Sequence, residues 1–281
     1  MVKLFEAIKE GADSLGDSST PLLDSQLIMC HVLNVDRSYL FMNREIELKE
    51  KDLKVFTSLI KERQKGKPLQ YITGYQEFMG LNFKVEEGVL IPRCDTETLI
   101  EVILNKIHVK DTFKIADVGC GSGAISVTLA KMIETSKVYA LDIMDTPLKI
   151  TKENAELNGV SDRVTILRSD KLTSLLDSTE KLDLIVSNPP YIRTKVIDTL
   201  MTEVRDYEPM SALDGGDDGL IFYREITSEA LCLLNEGGYL AYEIGHDQGE
   251  DVKQIMESAG YYDVEVIKDL PGLDRVVIGR R

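Results

Sequence analysis

The segment FKIADVGCGSGAISVTLA, residues 113–130, decides the fold class of this chain of 281 residues. Its first part, Phe113–Val118, is rich in apolar residues and predicts a buried strand. Glycines follow at positions 119, 121 and 123, and the apolar run from Ala124 predicts a helix. Such a turn lets the backbone approach a ligand at the helix N-terminus, although the same glycines also suit close strand–helix packing alone.

Strands and helices alternate from this segment to the C-terminus, which is typical of a parallel sheet with helices on both faces. Further strands are predicted at Val138–Asp142, Val164–Leu167, Leu182–Ser187 and Gly238–Ile244. Helices are predicted at Ala124–Ile133, Thr146–Asn158, Leu220–Leu234 and Asp247–Ser258. Two final strands, Asp263–Ile267 and Arg275–Ile278, are joined by a short return, so we expect them to pair antiparallel at the sheet edge.

The N-terminal 66 residues predict helices only. Ser19-Thr20-Pro21 is typical of a helix start with proline in the first helical position, and Asp36 is typical of the cap of a short helix. A longer helix with apolar residues on one face is predicted from Glu50 to Arg63. We therefore expect a small helical bundle over residues 1–66.

The pattern changes between residues 67 and 88. The strand-prone residues there are Tyr71, Phe78, Leu81, Phe83 and Val85. Met79-Gly80 lies between two of these runs as a turn, which predicts a β-hairpin. We interpret residues 67–88 as a hairpin connector and residues 89–281 as the α/β domain, whose first helix is capped by Asp95 or Thr96 and ends at Ile107.

The formal net charge of −15 argues against a general nucleic-acid surface, because duplex binding depends largely on Lys and Arg that neutralise phosphates. The acidity fits either a basic partner or the requirements of solubility. No apolar stretch approaches the length of a membrane helix, and the N-terminus is charged. We therefore expect a cytoplasmic protein that binds neither membrane nor nucleic acid directly.

Cysteines and histidines are spread along the chain without the spacing of a metal site. They are Cys30, Cys94, Cys120, Cys232, His31, His108 and His246. Cys30 and His31 are neighbours, but both fall within a predicted helix, where packing explains them. We therefore expect reduced thiols and no metal ion.

Two acidic residues follow the second and third predicted strands. Asp142 ends the second strand, about twenty residues after the glycines, where a carboxylate can accept from both hydroxyls of an adenosine ribose. This arrangement suits a nicotinamide dinucleotide and S-adenosylmethionine alike. Asp170, just past the third strand, is placed to accept from an adenine amino group. The alternative interpretation of either residue is a surface acid in a loop.

The fourth strand ends in Ser187-Asn188-Pro189-Pro190-Tyr191. This segment distinguishes a methyltransferase from a nicotinamide dehydrogenase. Two prolines fix φ and remove two N–H donors, so nearby carbonyls remain free to accept. The Asn188 side-chain oxygen and the Pro189 carbonyl can accept the two hydrogens of one planar –NH₂ group, with Tyr191 as an aromatic wall. Such acceptors hold a poorly nucleophilic nitrogen in line with a methyl–sulfur bond. A stiff loop with a capping asparagine is the purely structural alternative.

With these residues the whole chain resembles the HemK/PrmC family, the release factor glutamine N5-methyltransferases. The Asn-Pro-Pro-Tyr motif alone is shared with DNA adenine methyltransferases. Its combination with a helical N-terminal region is much more specific. Besides the two motifs above, the resemblance rests on Pro68–Gly74, Val89–Arg93, Glu208-Pro209, Leu213–Gly216, Glu243–Gly245, Gln248-Gly249 and Asp274-Arg275.

The resemblance implies a class I methyltransferase fold, which is Rossmann-like with a seven-stranded, mostly parallel sheet. It implies methyl transfer from S-adenosylmethionine, with S-adenosylhomocysteine as product, to the glutamine of the Gly-Gly-Gln motif of class 1 peptide chain release factors. The helical N-terminal domain is expected to help dock that partner, and a monomer is expected.

The sequence pattern and the resemblance together assign roles to individual residues. Asn188, Pro189 and Tyr191 are expected to be catalytic, and these three with Pro190 are expected to bind the substrate. The residues expected to bind the cofactor are Asp117, Gly119, Cys120, Gly121, Ser122, Gly123, Asp142, Ile143, Asp170, Lys171 and Asn188.

Two positions depart from the family pattern. The family commonly reads Arg-Pro-Glu-Thr-Glu where this chain has Arg93-Cys94-Asp95-Thr96-Glu97, which predicts a looser wall near the methyl donor. Many members carry an aromatic residue after the third-strand acid, where this chain has Lys171. Adenine stacking is therefore expected from another residue, such as Ile143.

Three alternative functions remain open at this point. A sister enzyme that methylates a ribosomal-protein glutamine would share both sites. A DNA adenine N6-methyltransferase would need a target-recognition region and a basic surface, and the sequence offers neither. The third alternative is a non-catalytic cofactor sensor or a nicotinamide dehydrogenase, and a dehydrogenase would give Asn188–Tyr191 no purpose.

Overall fold

The computed structural model describes residues 2–16, 18–107 and 112–281. Its contacts divide the chain into two compact units, Met1–Tyr75 with Met201–Tyr207, and Gln76–Leu200 with Glu208–Arg281. His108, one of the histidines considered above, lies outside the described residues. Within the described ranges, no helix is both long and apolar enough to cross a membrane.

The first unit is built from helices, as the sequence predicts. In chain order they are α1 (Leu4–Ser14), α2 (Pro21–Leu33), α3 (Arg37–Met42), α4 (Glu50–Gln64), α5 (Leu69–Thr73) and, from the later segment, α10 (Thr202–Arg205). Pro21 begins α2, and Asp36 caps α3 by accepting from Tyr39 N at 2.8 Å, which confirms both predicted helix starts. Residues from α1, α2 and α4 form a core around Leu4, Ile28 and Phe56.

Tyr71 lies in α5, so its assignment to a strand was wrong. Pro68 occupies the N-cap of this short helix, and Gly74 ends it with a positive φ of 83°. A helix start with proline and a stop with glycine override the β-propensity of a single tyrosine. Buried Ile72 then packs on the helical core, which the sequence does not anticipate.

Arg63 explains why Met201–Tyr207 belongs to the helical unit. Its Nε donates to the buried Asp24 at 2.8 Å, and its Nη2 lies 2.7 Å from a carboxylate oxygen of Glu203. A buried ion pair of this kind requires both partners, because either charge alone would remain desolvated.

The second unit is an α/β domain, and it includes the hairpin that was predicted to be a separate connector. Its strands are β1 (Tyr75–Phe78), β2 (Leu81–Lys84), β3 (Phe113–Val118), β4 (Ser136–Asp142), β5 (Val164–Arg168), β6 (Leu182–Ser187), β7 (Leu234–Glu243), β8 (Tyr262–Lys268) and β9 (Asp274–Arg280). Its helices are α6 (Cys94–Lys106), α7 (Ala124–Met132), α8 (Asp145–Leu157), α9 (Thr173–Leu176), α11 (Ile221–Leu233) and α12 (Gly249–Ser258), with 3₁₀ turns at Thr194–Thr199 and Met210–Ala212.

Seven strands form one sheet in the order β5-β4-β3-β6-β7-β9-β8. Pairing is parallel from β5 to β7, and β9 runs antiparallel to both of its neighbours. The chain moves outward from β3 to β5 and then returns to β6 on the other side of β3. The carboxyl ends of β3 and β6 therefore flank the crevice where sheets of this kind bind ligands.

The antiparallel pair predicted at the end of the chain is present, but its order was not foreseen. The last strand, β9, inserts between β7 and β8, which leaves β8 at the edge. Burial explains this order, because Val276, Val277 and Ile278 are buried in β9 whereas most of β8 is exposed or half-buried. A strand that is apolar on both faces needs a neighbour on each side.

The N-cap of helix α6 lies two residues before the first of its predicted caps, Asp95. Arg93 occupies the N-cap without a side-chain bond, and Thr96 N donates to Arg93 O at 3.1 Å. Asp95 and Thr96 do not cap the helix because their side chains have partners elsewhere. Asp95 lies 3.3 Å from the Arg275 guanidinium, and Thr96 contacts Asn188.

The predicted β1–β2 hairpin turns at Met79-Gly80 and packs into the core of the α/β domain. The buried rings of Phe78 and Phe83 meet edge to face, with centroids 5.9 Å apart. Asn154 of α8 accepts from Lys84 N and donates to the carbonyls of Lys84 and Ser122. The hairpin is therefore tied to the glycine-rich turn through one buried amide.

Replacing Phe83 by Ala should lower the free energy of unfolding of the α/β domain by about 3–5 kcal/mol, because it leaves a cavity beside Phe78. Urea unfolding followed by circular dichroism measures this loss. The exposed Phe41 provides the matched control, since F41A should change the same quantity by less than about 0.5 kcal/mol. Equal effects of the two substitutions would contradict the assigned core.

Candidate active site

A cleft of about 1040 Å³, measured with its open mouth, lies at the carboxyl ends of β3, β4 and β6. The residues that the sequence predicts as functional and that line this cleft are Gly119, Cys120, Gly121, Ser122, Asp142, Ile143, Lys171, Asn188, Pro189 and Pro190. Those that do not line it are Asp117, Gly123, Asp170 and Tyr191. The tertiary structure thus brings together the glycine-rich turn, the β4 carboxylate and the Asn-Pro-Pro segment.

The glycine-rich turn forms the floor of the cleft next to the start of α7. Gly119 and Gly121 both have positive φ, and a Cβ placed on Gly119 would meet no atom within 4 Å. Gly119 N and Cys120 N both donate to Leu141 O, which ties the turn to the end of β4. The backbone is therefore fixed in place and bare of side chains where a ligand would approach.

Asp117 supports this turn from behind. Its side chain is 0% exposed, and its Oδ2 accepts from the Ser126 backbone N–H at 3.0 Å and from the Ser126 hydroxyl. Burial raises the pKa of Asp117 to about 7, against the hydrogen bonds from Ser126. The residue thus connects the end of β3 to the first turn of α7.

Asp142 places a carboxylate in the cleft at the end of β4. Its Oδ2 accepts from Gly121 N at 3.1 Å, and its Oδ1 accepts from Met144 N at 3.0 Å. Burial raises the pKa of Asp142, and these backbone donors act in the opposite direction. Each oxygen keeps a further lone pair, so the group can still accept hydroxyl donors from a ligand.

Lys171 and Ile143 form another part of the lining. Lys171 Nζ lies 2.6 Å from Asp170 and 3.3 Å from Glu225, so its charge is already paired. Asp170 itself is exposed beside it. Ile143 is 52% exposed and gives the cleft an apolar surface next to Asp142.

Asn188 follows β6 and lines the same cleft as the glycine-rich turn. The residue before it, Ser187, is fully buried, and its hydroxyl donates to Val118 O at 2.7 Å. Asn188 Nδ2 donates to Thr96 Oγ1 of α6 at 3.2 Å. This bond uses the amide nitrogen and leaves the amide oxygen as the free acceptor of the side chain.

Tyr191 lies beneath the loop rather than in the cleft. Its side chain packs on the core around Tyr223 and Tyr242. Burial raises the pKa of Tyr191 above its usual value. Its backbone carbonyl accepts from the buried side chain of Gln248 at 3.1 Å, so this hydrogen bond also fixes the loop to the protein interior.

The Leu213–Gly216 segment supports the loop from behind. Ile192 N donates to Leu213 O, and Gly215 N donates to Ile192 O at 2.8 Å. A Cβ on Gly215 would lie 2.7 Å from Pro190 O and 2.8 Å from Tyr191 Cα. Only glycine permits this approach of two backbones.

Sequence reasoning missed several residues of this site. Thr96 lines the cleft and contacts Asn188, but its local pattern predicts only a helix cap. Glu243 ends β7 at the carboxyl ends of the parallel strands, and its local pattern predicts no role. One available signal was that the carboxyl ends of parallel strands meet at one edge, which points to Glu243. Arg93 lines the cleft too, and its Nη2 lies 2.6 Å from both oxygens of buried Glu208.

Comparisons with known proteins agree with this geometry. Residues 6–74 match the family model of the PrmC N-terminal domain, and residues 91–205 match that of the methyltransferase small domain. The release factor glutamine methyltransferase of Clostridium botulinum is 46% identical over 92% of each chain. That of Clostridium acetobutylicum is 43% identical over 100% of this chain and 97% of its own.

Among solved structures, a methyltransferase from Pyrococcus furiosus aligns with a TM-score of 0.54. The alignment covers 72% of this chain and 90% of the other, at 19% sequence identity. This likeness shows a shared fold, and the predicted class I methyltransferase architecture is confirmed.

Replacing Gly215 by Ala should lower the methyl-transfer rate about a hundredfold, because the added Cβ has to displace the Pro190-Tyr191 backbone and a small misplacement of reacting groups is costly. Steady-state kinetics measures the rate, and hydrogen exchange at Ile192 reports the loosened loop. Gly16 is the matched control, since its Cβ would meet no atom within 4 Å. A fully active G215A variant would contradict the supporting role of this segment.

Proposed function

This chain belongs to the family of release factor glutamine methyltransferases, and we propose that it methylates the side-chain amide nitrogen N5 of the Gly-Gly-Gln glutamine in class 1 peptide chain release factors. The orientation of the Asn188 side chain carries this proposal. Its amide nitrogen donates a hydrogen bond to Thr96, and its amide oxygen remains available in the cleft. A free acceptor at that position suits a substrate –NH₂ group.

The lining of the cleft fits S-adenosylmethionine as the methyl donor. Bare backbone at Gly119 and Gly121 leaves room for the cofactor chain beside the start of α7. Asp142 is the acceptor for the ribose hydroxyls, and Ile143 offers an apolar surface to the adenine. When bound, the cofactor supplies an electrophilic methyl group on a positively charged sulfur. Asp117 and Gly123 support the turn without lining the cleft.

Asn188 and Pro189 would orient the reacting nitrogen. The lone pair of an amide nitrogen is delocalised, so the nitrogen is a poor nucleophile and gains most from being held in line with the methyl group. The Asn188 side-chain oxygen and the Pro189 carbonyl accept its two hydrogens. These acceptors also stabilise the N–H groups as they become more acidic during bond formation, after which one proton leaves to water.

Pro190 and Tyr191 keep these acceptors in position. Proline cannot rotate about φ, and Tyr191 is held by core packing and by Gln248. The acceptors are therefore organised before the substrate arrives, which is the condition for a large electrostatic contribution to catalysis.

The helical domain, residues 1–66, is proposed to help dock the release factor. Its helices expose large apolar side chains that the bundle does not cover, namely Leu22, Phe41 and Met42. Exposed apolar groups of this size are typical of interaction surfaces. The connecting segment at 67–88, which contains α5 and the β1–β2 hairpin, leads to the catalytic domain at 89–281, so the chain has a docking module and a chemical module. We propose that the protein acts in the cytoplasm, where translation takes place.

Incubating the protein with S-adenosylmethionine and a class 1 release factor should add one methyl group to the Gly-Gly-Gln peptide. Tandem mass spectrometry locates the added mass on the glutamine. A release factor whose motif glutamine is replaced by alanine serves as the control and should stay unmodified. Methylation of a ribosomal protein or of duplex DNA, with the release factor untouched, would overturn the proposal.

Replacing Asn188 by Ala should lower kcat about 100- to 1000-fold, the usual cost of removing one preorganised polar group at a reacting centre. Cofactor affinity, measured by calorimetry with S-adenosylhomocysteine, should stay nearly unchanged because Asn188 is assigned to the substrate. The exposed Asn82 is the matched control, and N82A should retain full activity. An equal loss of turnover and cofactor affinity would instead assign Asn188 to the cofactor.

A further inference from the structure

A carboxyl group is buried directly behind the catalytic asparagine. Glu243, the last residue of β7, is 1% exposed, and β7 pairs with β6, the strand that leads into Asn188. The register that pairs Ser187 with Tyr242 brings Asn188 next to Glu243. The side chains of Thr96 and Asn188 both lower the pKa of this carboxyl group, against the effect of burial. Its Oε2 is buried without a hydrogen-bond partner.

Thr96 connects the two groups. Its side chain is buried, and its Oγ1 accepts from Asn188 Nδ2 at 3.2 Å. A hydroxyl carries one hydrogen, so an oxygen that accepts from Asn188 directs its own hydrogen to another acceptor. The Glu243 carboxyl group, whose buried Oε2 has no other partner, is the acceptor available to it. This sets an order of donation from Asn188 to Thr96 and from Thr96 to Glu243.

We propose that Glu243, acting with Thr96, is a positioning residue that holds the Asn188 amide with its nitrogen turned inward and its oxygen facing the substrate. A side-chain amide has two nearly isosteric orientations, and only one of them presents an acceptor to a substrate –NH₂ group. The expected effect of Glu243 on methyl transfer rests on the proposed function, whereas its effect on the orientation of the Asn188 amide does not.

The ionised carboxylate enforces this orientation because it only accepts hydrogen bonds. The amide nitrogen and the threonine hydroxyl can both donate toward it, whereas a flipped Asn188 would turn its oxygen toward a negative charge. A protonated Glu243 can also donate, so it tolerates either orientation. Ionised Glu243 therefore holds the Asn188 amide in one orientation, and protonated Glu243 holds it less strongly.

The surroundings place this change near neutral pH. Burial raises the pKa of Glu243 to about 7, against the hydrogen bond from Thr96. The charged or titratable groups near it are Arg275, which favours ionisation, Asp95, which opposes it, and the hydroxyls of Tyr191 and Tyr223. Arg275 also forms ion pairs with Asp95 and Asp269, so its positive charge is shared among three carboxyl groups. Orientation control should therefore be lost as the pH falls through about 7.

The first test observes the amide without substrate. In the wild-type protein, the side-chain Nδ2 proton signals of Asn188, assigned by their absence in N188A, should shift in NMR spectra as the pH passes through about 7. The shift should disappear in E243Q and remain in E236Q. Glu236 is the matched control because it lies in the same strand but is exposed. Signals that do not respond to pH in the wild type would overturn the proposal.

The second test measures methyl transfer to the release factor. E243Q should lower kcat about tenfold to a hundredfold at pH 8.5, the range expected when a hydrogen bond to a charged group is lost, and should change KM for S-adenosylmethionine little. At pH 6 the difference from wild type should nearly vanish. E236Q should keep the wild-type pH profile. Identical profiles for E243Q and wild type would overturn the proposal.

Thr96 provides an independent pair of variants in case E243Q does not fold. T96V keeps the shape of the side chain but removes the hydroxyl, so it should reproduce the kcat loss of E243Q. T96S keeps the hydroxyl and should restore most of the rate. Should the wild type fail to methylate any release factor, the proposed function falls while the NMR titration still decides the role of Glu243.

Discussion

Ser187 ends a fully buried strand, and the hydroxyl of this residue donates to Val118 O on the neighbouring strand, which joins the carboxyl ends of β6 and β3. The chain leaves that junction through two prolines, so it has no freedom in φ and no N–H groups with which to continue the sheet. Gln248 holds the Tyr191 carbonyl, and Gly215 lies against the Pro190-Tyr191 backbone. This constraint positions Asn188, and the geometry of the cleft depends on it.

Acidic groups are concentrated at the same edge of the sheet. Asp117, Asp142 and Glu243 end, or nearly end, three of its strands, and burial raises the pKa of each carboxyl group. They serve different purposes, since Asp117 supports the turn, Asp142 faces the cleft and Glu243 lies behind Asn188. Of the three, only Asp142 lines the cleft, where its carboxylate can accept from the hydroxyl groups of a ligand. Asp117 and Glu243 lie behind groups that do line it.

Much of the fold could be predicted from the sequence because the sheet strands are buried and flanked by strong turn residues. The predicted strands β3 and β6 match their observed bounds, and the predicted helix starts at Pro21 and Asp36 are correct. Predictions failed where a contact distant in sequence decided the outcome. Asp95 and Thr96 do not cap α6 because Arg275 and Asn188 engage their side chains, and β9 enters the sheet interior because both of its faces are apolar. Local propensity cannot register either effect.

The sequence by itself determined those parts of the site that consist of residues adjacent in the chain. These are the glycine-rich turn, the carboxylate of Asp142 and the stiff Asn188–Tyr191 segment. Each depends on backbone conformations that glycine or proline imposes locally. Only the tertiary structure decided how these groups are held. Thr96 is 92 positions from Asn188 in the chain, and Gln248 is 57 positions from Tyr191. Their partners follow from which strand ends and helix starts the fold brings together, because a hydrogen bond depends on distance in space and not on separation along the chain.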